Sequence, residues 1–132
     1  MNTLATGCAA VVLACTALTA SAQDAALSPQ YASCIDKSGG VTMGMIDCIV
    51  TETSRQDARL NRVYKKAMGA LESPERKKQL QTAQRAWIKF RDANCDFYYD
   101  PDGGSMARVS ANQCVLTSTA NRAQEIERFN LD

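Results

Sequence analysis

The stretch QRAWIKFRDANC (residues 84–95) indicates a helix, because its side chains sort onto distinct helical faces. Gln84, Trp87, Ile88, Arg91 and Cys95 recur at intervals of three and four residues, so they share one face. That face carries the only tryptophan of the chain. We therefore predict that it packs inward, toward the preceding helix, which is its antiparallel hairpin partner.

Arg91 is the unusual member of this face. A guanidinium that points toward a core needs a partner, because an unpaired buried charge is very costly. Candidate partners on the preceding helix are Asp57, Glu52 and Asp47, and a carbonyl of the following Gly-rich loop is another. The alternative interpretation is that Arg91 lies at an exposed rim and binds an acid of a partner protein.

Start and stop signals upstream of this stretch predict two further helices. Ser28 followed by Pro29 begins a short helix, and the glycine pair at 39–40 ends it. Thr42 is predicted to cap a second helix that continues to about residue 71. The apolar positions of this second helix include Met45, Ile49, Leu60, Val63, Tyr64, Ala67 and Leu71, which is helical spacing.

The third helix, which contains the opening stretch, begins at the cap Ser73 and Pro74 and ends before the breaker DPDGG, residues 100–104. A capping box from Ser110 to Gln113 is predicted to begin the fourth. No segment alternates with a period of two, so we expect no strands. The fold class is therefore all-α: an antiparallel hairpin, a third packed helix and a short N-terminal helix. The predicted structural seam consists of Leu60, Tyr64, Gln84, Trp87 and Arg91.

The first residues of the chain have the features of an export signal. Residues 1–22 contain no charged side chain and end in Ala20-Ser21-Ala22, a cleavage pattern. We predict a signal peptide at residues 1–22 and a single domain at residues 23–132 in the periplasm or secreted. Cys15 after VLA leaves open a lipid-anchored protein in the cell envelope, the one form in which we expect a membrane tether. A membrane span is less favoured by the weakly apolar Ala/Thr composition.

Four cysteines remain after the predicted signal, which in an exported chain of this size indicates two disulfides. Four cysteines allow three pairings. The helix order favours Cys34–Cys48 and Cys95–Cys114, because each pair flanks one turn. Each bond would close a loop of about 15 to 20 residues and contribute around 3 kcal/mol. Zinc binding is disfavoured, since the chain has no histidine and no C-x-x-C motif.

Several other function classes are excluded or disfavoured by composition. The net charge of +1 provides no concentrated basic excess for nucleic acid. Without histidine there is no Ser–His or Cys–His pair, and we do not expect an enzyme. DPDGGS imitates the middle of a calcium-binding EF-hand loop, but Tyr98 and Val109 would occupy its first and twelfth positions. We therefore expect a turn there, with no metal and no cofactor.

Four motifs follow one another in a specific order and spacing. They are LNRVY (residues 60–64), AQRAWIKFRDANC (83–95), GGS (103–105) and C-x4-T-x2-R with Cys114, Thr119 and Arg122. Together they resemble the N-terminal domain of the LprI-type lysozyme inhibitors over about residues 34–126. The resemblance implies a helical, disulfide-bonded, exported and often lipid-anchored protein, and the family's namesake is described as inhibiting lysozyme. It supplies no inhibitory residues.

The segment after the opening stretch, residues 96–105, is the predicted partner-binding region. Aromatic side chains suit the centre of an interface, and acids are attracted to a basic lysozyme surface. The predicted contact residues are Asp96, Tyr98, Tyr99, Asp100, Asp102 and Ser105, together with Arg91. The alternative is a connector whose Phe97 and one tyrosine complete the core.

The sequence thus predicts an exported binding protein that inhibits lysozyme-type muramidases. The alternative function is a structural or accessory envelope protein that binds another protein partner without inhibiting anything.

Overall fold

A computed structural model describes residues 25–129 of the chain. These residues form four helices, α1 (Pro29–Ser38), α2 (Thr42–Ala70), α3 (Pro74–Phe97) and α4 (Gly104–Glu127), and no strand occurs among them. The predicted all-α class is therefore confirmed. The predicted signal peptide and the lipidation of Cys15 concern residues outside this range, and they stay predictions.

Three helix termini form as their sequence signals predict. The hydroxyl of Ser28 caps α1 by accepting a hydrogen bond from the Tyr31 amide at 3.2 Å. Gly39 ends α1 in the left-handed conformation, with φ of 57°, which favours glycine because it has no Cβ. The hydroxyl of Ser73 caps α3 by accepting from the Arg76 amide at 3.3 Å.

Two predicted helix starts are wrong. Thr42 is the first residue of α2, and the N-cap position belongs to Val41, which offers no capping side chain. α4 begins at Gly104, more than a turn before the predicted start at Ser110. The earlier start allows Ala107 to face the interior, where it is buried, so tertiary burial overrides the local capping signal.

α4 is the helix that holds the bundle together. It packs extensively against α2 and also against α3, while α1 lies on α2. Contacts of Thr42 with Ser105 and of Arg59 with Glu127 show that α2 and α4 run in the same direction. The Cys95–Cys114 bond and the Gln84–Arg122 contact show that α3 runs antiparallel to α4. α2 and α3 are therefore antiparallel, as predicted. The predicted packing of the 84–95 face against α2 is wrong, however, because α3 packs mainly on α4, which lies against both helices.

The apolar core joins the three long helices near the α2–α3 connection. Its buried members are Leu60, Ala67, Leu71, Leu80, Ala123 and Ile126. Val63, Tyr64, Met68, Trp87 and Phe129 pack against it and are partly buried. Burial is uneven, however: Leu80 and Cys95 are the buried residues of α3, whereas α4 buries seven. α3 is thus the most solvated of the long helices.

A buried carboxylate, Glu52, fastens the N-terminal segment to α2. Its side chain is 0% exposed and accepts hydrogen bonds from the Ser28 amide at 2.9 Å, the Ser28 hydroxyl and the Gln56 amide nitrogen at 2.8 Å. Arg55 adds an ion pair at 3.1 Å. Burial alone would raise the pKa of Glu52, but the hydrogen bonds from Ser28, Gln56 and Arg55 outweigh it and hold that pKa below its ordinary value of 4.5. These contacts explain why the polar middle of α2 stays helical.

Both predicted disulfides are confirmed. Cys34 and Cys48 join α1 to α2 with a Cα–Cα distance of 5.7 Å, and Cys95 and Cys114 join α3 to α4 at 5.4 Å. Two such bonds in a small domain fit an oxidising compartment.

Within residues 25–129 no helix has the length and hydropathy needed to cross a membrane. The same residues contain no group of acids and cysteines arranged to hold a metal ion.

Candidate functional site

The opening stretch builds a seam between α3 and α4, with Trp87 at its centre. The Trp87 ring lies between two guanidiniums, with Arg91 at 5.1 Å and Arg122 at 5.9 Å from its centroid. Stacking of this kind is attractive because the ring face is electron-rich. The seam therefore combines an apolar contact with two charges held in place by an aromatic ring.

Arg91 is engaged inside this seam. Its side chain is 17% exposed, and its guanidinium donates to the Thr119 hydroxyl at 3.3 Å and to Asp92 at 2.8 Å. Asp57, one of the candidate partners from the sequence, lies 3.9 Å away. Glu52, another candidate, instead binds Ser28. With these contacts made, Arg91 is poorly placed to reach an acid on a partner protein.

Arg122 is a seam residue whose partners the sequence analysis did not identify. It is 8% exposed, donates to the Gln84 side-chain oxygen at 3.0 Å and pairs with Glu125 at 2.8 Å. The C-x4-T-x2-R motif places Thr119 and Arg122 on one helical face, and this spacing was the signal that could have indicated their shared contact with α3. The structure brings that motif against Gln84, Trp87 and Arg91.

The connection from α3 to α4 is a short and well-bonded turn. The amide of Tyr99 donates to the Asp96 carbonyl at 2.9 Å, and the amide of Gly103 donates to the Asp100 carbonyl at 3.1 Å. The Asp100 carboxylate accepts from the Asp102 amide at 2.9 Å. A Cβ at Gly103 would lie 2.8 Å from the Ala107 Cβ, so this close approach requires glycine. Gly104 then takes a φ of 65° to start α4.

The aromatic side chains of this connection remain in solvent. Phe97 is 84% exposed, Tyr98 is 49% exposed and Tyr99 is 50% exposed. The alternative in which Phe97 and one tyrosine complete the core is therefore wrong for Phe97, and neither tyrosine is buried. The reason is that Phe97 follows the buried Cys95 by two residues, so it lies about 200° around α3 from the face that packs on α4.

The two tyrosines lie on opposite sides of α4. Tyr98 lines an open groove with Val109, Gln113 and Thr117. Tyr99 lines a second groove on the other side, with Asp92, Asp96, Asn112 and Val115 among its walls. Phe97 stands beside Tyr98, with ring centroids 6.0 Å apart in an edge-to-face arrangement. The aromatic rings thus spread across the whole end of the bundle.

Acidic side chains surround these rings. Asp96, Asp100 and Asp102 are all exposed. Residues 92–102 contain four acids and no cation, a net charge of −4. No cation lies within ion-pair distance of these three acids in the part of the chain that the structure describes. We call Asp96, Phe97, Tyr98, Tyr99, Asp100, Asp102 and Ser105 the aromatic–acidic end.

Exposed apolar side chains from the α1–α2 turn extend this end. The hydroxyl of Thr42 lies 3.4 Å from that of Ser105, so the start of α2 adjoins the start of α4. Their neighbours Val41, Met43 and Met106 are 63%, 58% and 54% exposed. The predicted contact residues other than Arg91 are therefore gathered at one end, together with apolar groups that sequence analysis did not single out.

Comparisons with known proteins agree with this architecture. The family model described as "Lysozyme inhibitor LprI" matches residues 34–126. The chain is 26% identical to an uncharacterised protein of Rhizobium meliloti (strain 1021), over 62% of this chain and 68% of that protein. No solved structure matches the chain. Because the family match spans both disulfides, the seam and the α3–α4 connection, the chain belongs to the LprI lysozyme inhibitor family.

Proposed function

We propose that this protein binds and inhibits a lysozyme-type muramidase through its aromatic–acidic end. The observation that carries the proposal is Phe97, a large apolar side chain that is 84% exposed at the end of a helix. In the free protein this ring contacts Tyr98 and otherwise faces water, whereas a partner that covered it would remove its apolar surface from water. Tyr98 and Tyr99 beside it supply further contact area of the kind found at interface centres.

The charge of this end favours a basic partner. It carries three exposed acids and no cation over residues 96–105, and this net charge of −3 would attract a basic lysozyme surface and speed the encounter. Arg91 is left out of the proposed contact surface, since its guanidinium is engaged with Thr119 and Asp92.

The end is also ordered before any partner arrives. The Cys95–Cys114 bond fastens the last turn of α3 to α4, and backbone hydrogen bonds fix the turn that follows. Little conformational entropy would then be lost on binding, which favours affinity. The family is named for inhibition of an enzyme rather than for catalysis, and the proposed mode of action is accordingly steric occlusion.

We also propose that the protein acts outside the cytoplasm, in the periplasm or secreted. The two disulfides support this location, because such bonds persist in oxidising compartments. Attachment to the envelope through a lipid on Cys15 is the alternative form, and mass spectrometry of the mature protein distinguishes the two.

A lysozyme titration with surface variants tests the proposal. Asp100→Asn/Asp102→Asn should raise the half-inhibitory concentration about tenfold, because two charges facing a basic partner are removed. Asparagine keeps the side-chain oxygen that accepts the Asp102 amide, so the turn is retained. Phe97→Ala should raise the concentration about 30-fold or more, as expected for a central aromatic contact. Lysis of cell-wall suspensions by c-type and g-type lysozymes provides the measurement.

Glu72→Gln/Glu75→Gln is the matched control, because it removes the same charge at the opposite end of α3. It should leave inhibition within about twofold of the unmodified protein. Absence of inhibition of both lysozyme classes at micromolar protein would refute the proposed activity. If a pull-down from periplasm recovers a different envelope protein with the unmodified protein and not with Phe97→Ala, that result would instead favour the accessory role. Undiminished inhibition by the Asp100/Asp102 variant would refute the assignment of those two acids.

A further inference from the structure

The other end of the bundle, where α2 passes into α3, is rich in cations. They are Arg62, Lys65, Lys66, Arg76, Lys77 and Lys78, which we call the basic end. All of these side chains except Lys77 are exposed, and Lys77 is partly exposed. Residues 62–78 contain only two acids, Glu72 and Glu75, so their net charge is +4.

The cations of the basic end form no ion pair within the fold. None of them has a carboxylate within 4.0 Å among residues 25–129, although Arg62 is close enough to Glu127 to lower the pKa of that carboxyl. The nearby acids of α4 are engaged already, Glu127 with Arg59 and Glu125 with Arg122. A concentration of like charges opposes folding through its own repulsion, and an anionic partner would relieve that repulsion.

The two charged ends act independently of each other. α3 begins within the basic end at Pro74 and ends within the aromatic–acidic end at Phe97, a span of 24 residues. At about 1.5 Å per residue the ends lie roughly 36 Å apart, several times the screening length of about 8 Å in physiological salt. The overall charge of +1 therefore conceals a strongly polarised molecule.

We propose that the basic end binds the headgroups of an anionic phospholipid bilayer and thereby directs the aromatic–acidic end away from the membrane. Four of the six cations are lysines, which act as point charges on long flexible stems. That chemistry suits a continuous negative plane better than bidentate recognition of a single phosphate. No aromatic side chain in the basic end is exposed as a stacking platform for nucleic acid, since Tyr64 packs against the core.

The path of the chain supports this orientation. The backbone amide of Ala25 donates to the side chain of Asn121 at 3.1 Å. Asn121 lies in the last third of α4, the half of the bundle nearer the basic end. The described part of the chain therefore begins in the half of the bundle that carries the basic end. This inference does not depend on which protein the aromatic–acidic end binds.

Co-sedimentation with lipid vesicles tests the inference. The unmodified protein should bind vesicles that contain phosphatidylglycerol and not vesicles of phosphatidylcholine alone, and high salt should release it. Lys65→Gln/Lys66→Gln should weaken the partition into anionic vesicles by roughly 10- to 30-fold. Circular dichroism confirms that the variant is folded, and its inhibition of lysozyme should be unchanged.

Lys37→Gln/Arg108→Gln is the matched control, since it removes two exposed cations near the other end of the bundle. Its partition should stay within about twofold of the unmodified protein, because those cations lie beyond the screening length from the bilayer. Equal losses in the two variants would show that overall charge governs binding and would overturn the proposal. It would equally be overturned by tight binding to a soluble polyanion such as dextran sulfate without binding to anionic vesicles.

Discussion

Replacement of Glu52 by alanine should lower the free energy of unfolding by about 3 kcal/mol. The change leaves two buried donors, the Ser28 amide and the Gln56 side chain, without their acceptor, at about 1–3 kcal/mol each. It also opens a cavity at a side chain that is 0% exposed. Urea denaturation followed by circular dichroism at neutral pH measures the loss. A loss below about 1 kcal/mol would contradict the role assigned to this carboxylate.

The charge of Glu52 should also make stability depend on pH. Since its pKa in the folded protein is lower than the ordinary value of 4.5, its ionisation stabilises the fold above that value. This contribution is lost as the pH falls from 4.5 through the lower pKa of the folded protein. Glu52→Gln keeps the shape and one acceptor oxygen, so it should lose less stability at neutral pH and show a weaker decline in acid. If the free energy of unfolding declines equally in acid for the unmodified protein and for Glu52→Gln, the pH dependence belongs to other carboxyl groups.

Removal of the α3–α4 disulfide should weaken both stability and inhibition. Cys95→Ala/Cys114→Ala opens a loop with a sequence separation of 19 residues. In the chain-entropy model this bond contributes about 3 kcal/mol. It also fastens the helix end that carries Phe97, so binding would now have to pay the cost of ordering that end. We expect the half-inhibitory concentration for lysozyme to rise about tenfold at a temperature where the variant is still folded.

The second disulfide provides a control of similar size. Cys34→Ala/Cys48→Ala opens a loop with a separation of 14 residues, far from the α3–α4 connection along the chain. Its loss of stability should also be about 3 kcal/mol, whereas inhibition should remain within about twofold of the unmodified protein. Equal losses of inhibition in the two variants would show that the α3–α4 bond has no particular role in presenting the aromatic–acidic end.

Sequence reasoning succeeded where the physical cause is local. Ser28, Gly39 and Ser73 mark helix termini because capping depends on hydrogen bonds and dihedral angles within a few residues. The cysteine pairing also followed, since each pair flanks one short turn between neighbouring helices. It failed at Ser110, where a valid capping box lies inside α4, because burial of Ala107 favours an earlier helix start.

The candidate site was only partly predictable for a related reason. The composition of residues 96–105 indicated aromatics and acids in one segment, but exposure depends on where the core ends. Phe97 lies about 200° around α3 from the face that carries Cys95, and only the packed structure shows that no other helix among the described residues covers that side. The proximity of Val41 and Met43 to this segment likewise requires the contact between Thr42 and Ser105.

The helical class, most helix termini and the two disulfides can be predicted from the residue order, because periodicity, capping and short loop closure act over a few residues. Which charges and rings the fold uses depends on how the helices pack. Glu52 finds its partner in Ser28 and Arg91 finds Thr119, whereas Phe97 stays largely in solvent beside Tyr98 and the cations of the basic end form no ion pair among residues 25–129. Pairing and burial are properties of segments distant in the chain, and so they appear only once the helices have packed.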